Sequence, residues 1–363
     1  MEIINHAIVG CGRIAPNHVD GFTRIDNVKI TYAVDKDIEV AKAFAERFDI
    51  ENYTSDYQKV LSDPSVHSIS LNVPHDLHGV MAQQAAEANK HVLLEKPFVI
   101  DPKEGEKLVQ TARERGVTVM PIVQHHYDLL LIKIKEMIDS GAMGTISMLR
   151  GHLECNRPPS YYSESEWRGS LQREGGSVLI NQAYHILDLM VWLSGPVQNV
   201  TAHQHTTNRE VMETEDVFTA SLKFKNRALA SLSVCGAGGS SWRNMIEIIS
   251  DQGVIGFDIS HPNQLLRFEL KSKREMKLWR KQFAEIIEAV QPSSAGTDYY
   301  GISHRPQTKA FIDAIRGTID VKEDQQHALH IVHTIDALYT SSRQQKNRDV
   351  QEITINSESY ATT

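Results

Sequence analysis

The sequence predicts an α/β chain in two parts: a doubly wound parallel sheet over residues 1–122, then an α+β domain with an open, mainly antiparallel sheet over residues 123–363. Three observations predict it. A glycine turn, Gly10-Cys11-Gly12-Arg13-Ile14-Ala15, follows an apolar strand and opens a helix. Apolar runs and amphipathic stretches alternate as far as Met120. After Gly141 the helices drop out and strand-like segments follow one another.

The elements follow in order. Ile3 to Val9 is a short apolar run, as a strand buried on both faces would be. Asn17 to Ile25 reads as a helix, with Pro16 in its first turn, where a missing N–H costs little. Val28 to Val34 is the second strand. Helices at Asp37–Phe48, Asp76–Ala88 and Asp101–Arg115 alternate with strands at Val66–Val73, His91–Leu94 and Val117–Met120. In the second half Thr145–Glu154, Asn199–His205, Val217–Phe224, Ala228–Val234 and Met245–Ser250 alternate apolar and polar residues, which is the pattern of a half-buried sheet. Ser272 to Tyr300 reads as an irregular excursion. Helices at Gln307–Arg316 and Gln325–Arg343 come last and are expected to pack back on the first domain.

Composition excludes several classes of function. The 363 residues carry a net charge of −8 with no long run of either sign, which argues against a nucleic-acid partner. No apolar run approaches the roughly 20 residues that span a bilayer, so no membrane partner is expected. The first residues lack a basic region and a cleavage site, and the expectation is a cytoplasmic chain. Cys11, Cys155 and Cys235 are scattered, which fits a reducing compartment and no disulfide framework.

The candidate site residues fall at strand ends and on one later segment. In the G-x-G-x-x-A turn, Gly10 permits the bend, Gly12 lets the backbone approach a pyrophosphate, and Ala15 lets helix and strand pack closely. Arg13 and Ile14 sit at the start of the helix, whose free N–H groups suit an anion. Asp35 ends the second strand about 20 residues on, where a carboxylate accepts ribose hydroxyls; NAD is therefore expected over NADP. Ligands of such sheets bind outside the carboxyl ends of the strands, where Asn72, Pro74, Glu95 and Lys96 fall. Pro97 biases Lys96 to an extended conformation that projects its ammonium into the crevice. His75 and His78 either cap and pack a helix or contact the cofactor. Gly175 to Asp188 reads as one apolar helix carrying Asn181, His185 and Asp188 on a shared face. Arg157, Tyr161, Trp167 and Arg168 form a basic, aromatic loop suited to a sugar or a carboxylate, or else a surface loop anchored by Trp167. No metal is expected: His125-His126 and the alternating His203 and His205 lack an accompanying ligand motif.

Together these residues resemble the Gfo/Idh/MocA family. The likeness rests on Gly10-x-Gly12-Arg13-Ile14-Ala15, His78, Glu95-Lys96-Pro97, and Gly175-Gly176 through His185 to Asp188, with Trp192-Leu193-Ser194-Gly195 following. It implies a Rossmann domain joined to an open-sheet domain, and oxidation or reduction of a sugar or cyclitol hydroxyl with NAD or NADP. It also implies that Lys96 and His185 are catalytic. The chain departs from the family's D-x-G-x-H motif at Asn181 and Ala183. The loop residues, with Asn181-Gln182 and Ser294-Ala295-Gly296, look like the sugar-nucleotide branch that acts on UDP-N-acetylglucosaminuronate at C3.

The chemistry expected is hydride transfer between nicotinamide and a secondary carbinol carbon. His185 is the general base, because imidazole titrates nearest neutral pH. Lys96 stabilises charge on the same oxygen. Asn181 holds the substrate hydroxyl, and Asp188 orients the substrate helix or His185. A cyclitol or free-sugar dehydrogenase and a non-catalytic dinucleotide-binding regulator remain open as alternatives. The open sheet is expected to expose apolar area and to build a homodimer or homotetramer.

Overall fold

The structure, a computed structural model, describes residues 3–239, 242–260, 263–289 and 302–352. In the first half, strands β1 (Ile4–Val9), β2 (Val28–Val34), β3 (Asn52–Thr54), β4 (Ser68–Leu71), β5 (His91–Leu94) and β6 (Val119–Pro121) form a 6-stranded sheet in the order β3-β2-β1-β4-β5-β6. All neighbours are parallel. Helices α1 (Ala15–Phe22), α2 (Ile38–Phe48), α3 (Tyr57–Ser62), α4 (His75–Glu87) and α5 (Pro102–Arg115) alternate with the strands. The strand order reverses between β1 and β4, which opens the crevice that doubly wound sheets use for ligands.

Local sequence explains the helix ends. The Asp101 side chain accepts from the Lys103 N–H, Pro102 occupies the first turn, and Gly116 at φ +66° ends α5. Asp37 and Asp56 cap α2 and α3 in the same way. The start of α1 has no side-chain cap; Pro16 brings no N–H, and the Ala15 and Asn17 N–H groups donate to the Gly12 and Ile14 carbonyls at 3.2 and 2.9 Å.

A helix α6 (Leu129–Asp139) leads into the second half. There β7 (Ile146–Glu154), β8 (Val197–His205), β9 (Val217–Phe224), β10 (Leu229–Cys235), β11 (Arg243–Ser250), β12 (Gly253–Asp258), β13 (Gln264–Leu270) and β14 (Arg348–Asp349) form an 8-stranded sheet. Its neighbours are antiparallel except β7 and β10, which run parallel. Helices α7 (Pro159–Ser163), α8 (Tyr184–Ser194), α9 (Lys273–Ala289), α10 (His304–Ile315) and α11 (Lys322–Gln344) complete the chain.

One sheet face buries Phe218, Ala220, Leu222, Phe224, Leu232 and Val234 in a common core with Ile186, Leu187 and Met190 of α8. Gly151 on β7 is required there: a Cβ would meet Ile186 Cγ2 at 2.6 Å and Met190 Sδ at 2.8 Å. The other face departs from expectation. It presents Thr219, Ser221, Lys223, Ser231 and Ser233, together with Arg150 and Arg267 on Glu247 at 2.7 and 3.1 Å, rather than a broad apolar area.

The terminal helices finish the parallel sheet. Phe311, Ile312 and Val321 join the core on one of its faces, and Ala328, Leu329 and Val332 join the core on the other. Strand β6 is an edge whose backbone groups need partners. Gln307 accepts from Val123 N at 3.1 Å and donates to Pro121 O at 2.9 Å, and Gln325 donates to Val119 O at 2.8 Å.

Two expectations are corrected. Lys273–Ala289 is a helix, not an excursion; Met276, Trp279, Phe283 and Ile286 recur at helical spacing, and Phe283 meets Phe268 edge-on at 5.2 Å. Asn181 and His185 do not share one helix. A π-helical turn covers Val178–Gln182, and α8 begins only at Tyr184. Ser294, Ala295 and Gly296 lie outside the described residues.

Candidate active site

A cleft of about 960 Å³ opens at the carboxyl ends of the parallel strands and runs to the loop before α7. Its volume lies at the upper end of the range for ligand pockets, so it has room for two bound molecules.

The dinucleotide end is lined by Gly10, Gly12, Arg13, Ile14, Asp35, Asn72 and Pro74. Gly10 sits at φ +88°, and a Cβ there would come within 2.3 Å of the Asn72 carbonyl oxygen. Beside Gly12 the space is open. Both side-chain polar atoms of Asn72 are buried without a hydrogen-bond partner. Open space above a glycine and an unsatisfied buried amide fit a dinucleotide well. Asp35 Oδ2 accepts from Cys11 N at 3.0 Å, which fixes the carboxylate at the turn.

Deeper in the cleft, Lys96 leaves the end of β5. Its Nζ donates to both Asn181 O and Asn181 Oδ1 at 2.9 Å. Desolvation lowers its pKa to about 8, against the opposing pull of the Glu95 and Glu174 carboxylates. Asn181 Nδ2 in turn donates to Glu174 Oε1 at 2.6 Å, and Glu174 Oε2 accepts from Gly169 N at 2.6 Å. Burial pushes Glu174 up to about 7. The Asn181 amide thus holds Lys96 through its oxygen and Glu174 through one N–H, with a second N–H remaining. His185, in the first turn of α8, lies edge-on to His125 at 4.7 Å between ring centres, with its Nε2 3.4 Å from Gln124 Nε2. Burial, then the charges of His125 and Lys96, holds its pKa well below the ordinary value, so the ring is neutral.

The outer end carries the loop residues. The Arg157 guanidinium lies 4.5 Å from the Tyr161 ring centre and 4.6 Å from that of Trp242. Arg168 lies 4.3 Å from Tyr161 and 5.4 Å from Trp167. Arg157 also donates to Gln182 Oε1 at 2.7 Å, and Gln182 donates to the Tyr161 hydroxyl at 3.1 Å. The Nε atoms of both arginines are buried without a hydrogen-bond partner. Two stacked guanidiniums with unsatisfied donors make a receptor for an anion.

Two sequence candidates lie elsewhere. His78 is turned inward by α4, and its ring nitrogens lie 2.6 Å from Pro97 O and 2.9 Å from Val73 O, where it braces two strand ends instead of lining the cleft. Asp188 is fully buried behind α8, 2.6 Å from His327 and 3.0 Å from His126. Although burial alone would raise it, these imidazoles hold its carboxyl well below the usual range. Asp188 is therefore not among the residues that line the cleft. Glu174, Trp242 and His304 also belong to the cleft region and escaped the sequence reading, while Gln182 entered it only through the likeness to the sugar-nucleotide branch. Glu174 directly precedes Gly175-Gly176 but has the look of a solvated charge beside Arg173.

A buried polar chain supports the floor of the site. His6 and His18 share Ser70 Oγ at 2.9 and 3.0 Å, and His18 Nε2 lies 3.1 Å from Glu95 Oε1. His304 Nε2 approaches the same oxygen at 3.5 Å.

Comparison with known proteins agrees with this geometry. Residues 4–123 match the Gfo/Idh/MocA family model described as an oxidoreductase family with an NAD-binding Rossmann fold, and residues 131–256 match that family's C-terminal domain. The uncharacterized oxidoreductase YrbE of Bacillus subtilis is 29% identical over 259 residues, 70% of this chain and 74% of its own length. The crystal structure of the WlbA dehydrogenase from Bordetella pertussis, in complex with NADH and UDP-GlcNAcA, superposes with a TM-score of 0.86 at 24% identity over 97% of this chain and 99% of that one. The WlbA dehydrogenase from Chromobacterium violaceum, with the same ligands, gives 0.84 at 25% identity over 97% of each chain. On its glycine turn, its two-sheet architecture and both domain matches, the chain belongs to the Gfo/Idh/MocA oxidoreductase family and carries that family's NAD-binding Rossmann domain.

Proposed function

We propose that the chain oxidises, or in reverse reduces, a secondary hydroxyl carbon on a sugar nucleotide whose sugar bears a carboxylate, the class represented by UDP-N-acetylglucosaminuronate at C3. The observation that carries the reading is the pair of stacked arginines, Arg157 and Arg168, with unsatisfied Nε donors beside Lys96 and Asn181. A neutral sugar or cyclitol would leave those charges uncompensated in a partly desolvated cleft. The likeness to the WlbA dehydrogenases supports the same substrate class.

Gly10, Gly12, Arg13, Ile14, Asp35, Asn72 and Pro74 would hold NAD, which would supply the hydride acceptor, and Glu95 and Lys96 line the same cleft. His185 takes the hydroxyl proton, its ring held neutral by burial. Lys96 donates a hydrogen bond to the same oxygen and stabilises the charge that develops there. Asn181 keeps the ammonium aimed, and Glu174 keeps Asn181 aimed. Tyr161 and Trp167 give apolar faces for sugar rings while the arginines take anionic groups.

The test is NADH formation, followed by near-ultraviolet absorbance, with UDP-N-acetylglucosaminuronate, UDP-N-acetylglucosamine, free N-acetylglucosaminuronate and myo-inositol. Turnover on the charged sugar nucleotide alone supports the reading. Efficient turnover on a free neutral sugar with the sugar nucleotide inert overturns it. The polar outer face of the 8-stranded sheet is proposed to pair two copies through hydrogen bonds and ion pairs rather than apolar area, and a monomeric mass in light scattering at micromolar concentration refutes that. Among the described residues no helix is long and apolar enough to cross a membrane.

A further inference from the structure

Behind His185, three elements distant in sequence bring together a donor set that the proposed reaction does not use. His126 comes from the 3-10 turn at Gln124–Tyr127, Asp188 from α8 and His327 from α11. Their candidate ligand atoms all lie within 4.8 Å of one another. His327 Nε2 is 2.6 Å from Asp188 Oδ1, and His126 Nε2 is 3.0 Å from Asp188 Oδ2. The second contact is not a hydrogen bond. Both atoms are buried without a hydrogen-bond partner despite their closeness, so the N–H direction and the oxygen lone pairs do not meet. The imidazole is held in that orientation by stacking on Trp192, with centres 4.3 Å apart and planes at 10°.

We propose that His126, Asp188 and His327 bind one divalent cation of the zinc class, with the fourth coordination position facing the adjoining cavity. Two imidazole nitrogens and a carboxylate are the donors that zinc, cobalt and nickel prefer. A tetrahedral ion with donors at about 2.0–2.2 Å needs donor separations of about 3.3 Å. The two contacts to Asp188, at 2.6 and 3.0 Å and on different carboxylate oxygens, are shorter than that, so the side chains would open by up to about 0.7 Å to admit the ion. The fourth position has a place to go. A separate cavity of about 500 Å³ is lined by His126, Trp192, Asp324, His327 and His330, and shares no residue with the active-site cleft. Asp324 lies one helical turn before His327 on α11, on the same side. A cation here would take up the misdirected pair and tie the turn that carries His125, the helix that carries His185, and α11 into one unit. The ion is structural in this assignment; it does not reach the reacting atoms.

The experiment uses the full chain without a histidine tag, stripped with a chelator and dialysed. Cobalt(II) is titrated while the visible ligand-field bands of a tetrahedral nitrogen–oxygen site are followed. Zinc is then added to displace it, and zinc binding is measured separately by calorimetry. The expected result is one equivalent per chain, a raised melting temperature, and displacement of cobalt by zinc. His327→Gln, at a largely buried position on α11, should abolish the bands and weaken zinc binding by at least about 100-fold, the upper end of what loss of even an outer-sphere partner does. Asp188→Asn should do the same, while the surface variant His203→Gln keeps full binding. Less than one equivalent in the wild-type chain, or binding retained in His327→Gln, overturns the assignment and leaves the trio as a hydrogen-bonded brace or moves the ion to the His18–Glu95–His304 group.

Discussion

Replacing Lys96 by methionine should make the protein inactive and more stable at neutral pH. The ammonium titrates near 8 instead of its ordinary 10.5 because the cleft floor desolvates it. That difference corresponds to about 3 kcal/mol by which folding is penalised while the group is charged. Methionine keeps the apolar stem and removes the charge. It also loses the two hydrogen bonds to Asn181, each contributing about 1 kcal/mol. The net gain is then about 1–2 kcal/mol, trimmed by the partial exposure of Lys96. The pH dependence gives the sign. Below pH 8 both folded and unfolded chains are protonated and the full penalty acts. Between about 8 and 10.5 the unfolded chain binds more protons, so wild-type stability climbs with pH and the penalty fades. Urea unfolding of both proteins at about pH 7 and about pH 10.5 should therefore show the methionine variant ahead at the lower pH and its lead lost at the higher. A variant less stable than wild type at neutral pH, or a difference independent of pH, would refute the claim that Lys96 is held charged against desolvation.

Three further outcomes follow from the same geometry. The pH profile of kcat should fall on its basic side near pH 8 as Lys96 loses its proton, and Glu174→Gln should move that fall to lower pH by removing a carboxylate that favours the ammonium, while Glu174→Asp restores it in part; an unmoved profile separates Glu174 from Lys96. His185→Ala should reduce turnover by about 100-fold or more with NAD affinity unchanged, and Asn181→Ala should reduce kcat more than it raises KM, because Asn181 positions Lys96 rather than the substrate; a pure KM effect at Asn181 would return it to substrate binding. Calorimetry should give tighter binding of NAD than of NADP, and Asp35→Ser should narrow the gap; tighter NADP binding to the wild type would remove Asp35 from the ribose.

The strand–glycine–helix opening and the alternation of elements were legible because they are local: Gly10, Ala15 and Asp35 act through spacing along a few turns of chain. Lys96 and His185 were legible as polar groups placed where an apolar pattern had no use for them. What escaped depends on contacts that spacing does not encode. Glu174 joins the hydrogen-bond network of Lys96 only through burial and the turn of Asn181 to meet it. Asp188 looks like a neighbour of His185, yet its partner His327 lies 139 residues away, and α8 rotates the carboxylate to the far side. His78 matched a family position, but its ring is turned to the Pro97 and Val73 carbonyls, away from the cleft. The apolar period of α9 was present in Met276, Trp279 and Phe283, hidden by a charge-rich setting that resembles a loop.

The glutamines that close the edge of β6 bear on the order in which the molecule can assemble. A ribosome releases the six parallel strands long before Gln307 and Gln325 emerge. Until then the last strand offers bare amides and carbonyls, and both faces of the sheet lack part of their covering from α10 and α11. The nucleotide-binding half is consequently first in synthesis but among the last to be sealed, and its nascent form presents an open edge of the kind that recruits other strands. Cutting the chain after β6 would leave that edge permanently unsealed, so the dinucleotide fold is a joint product of the two ends of the sequence.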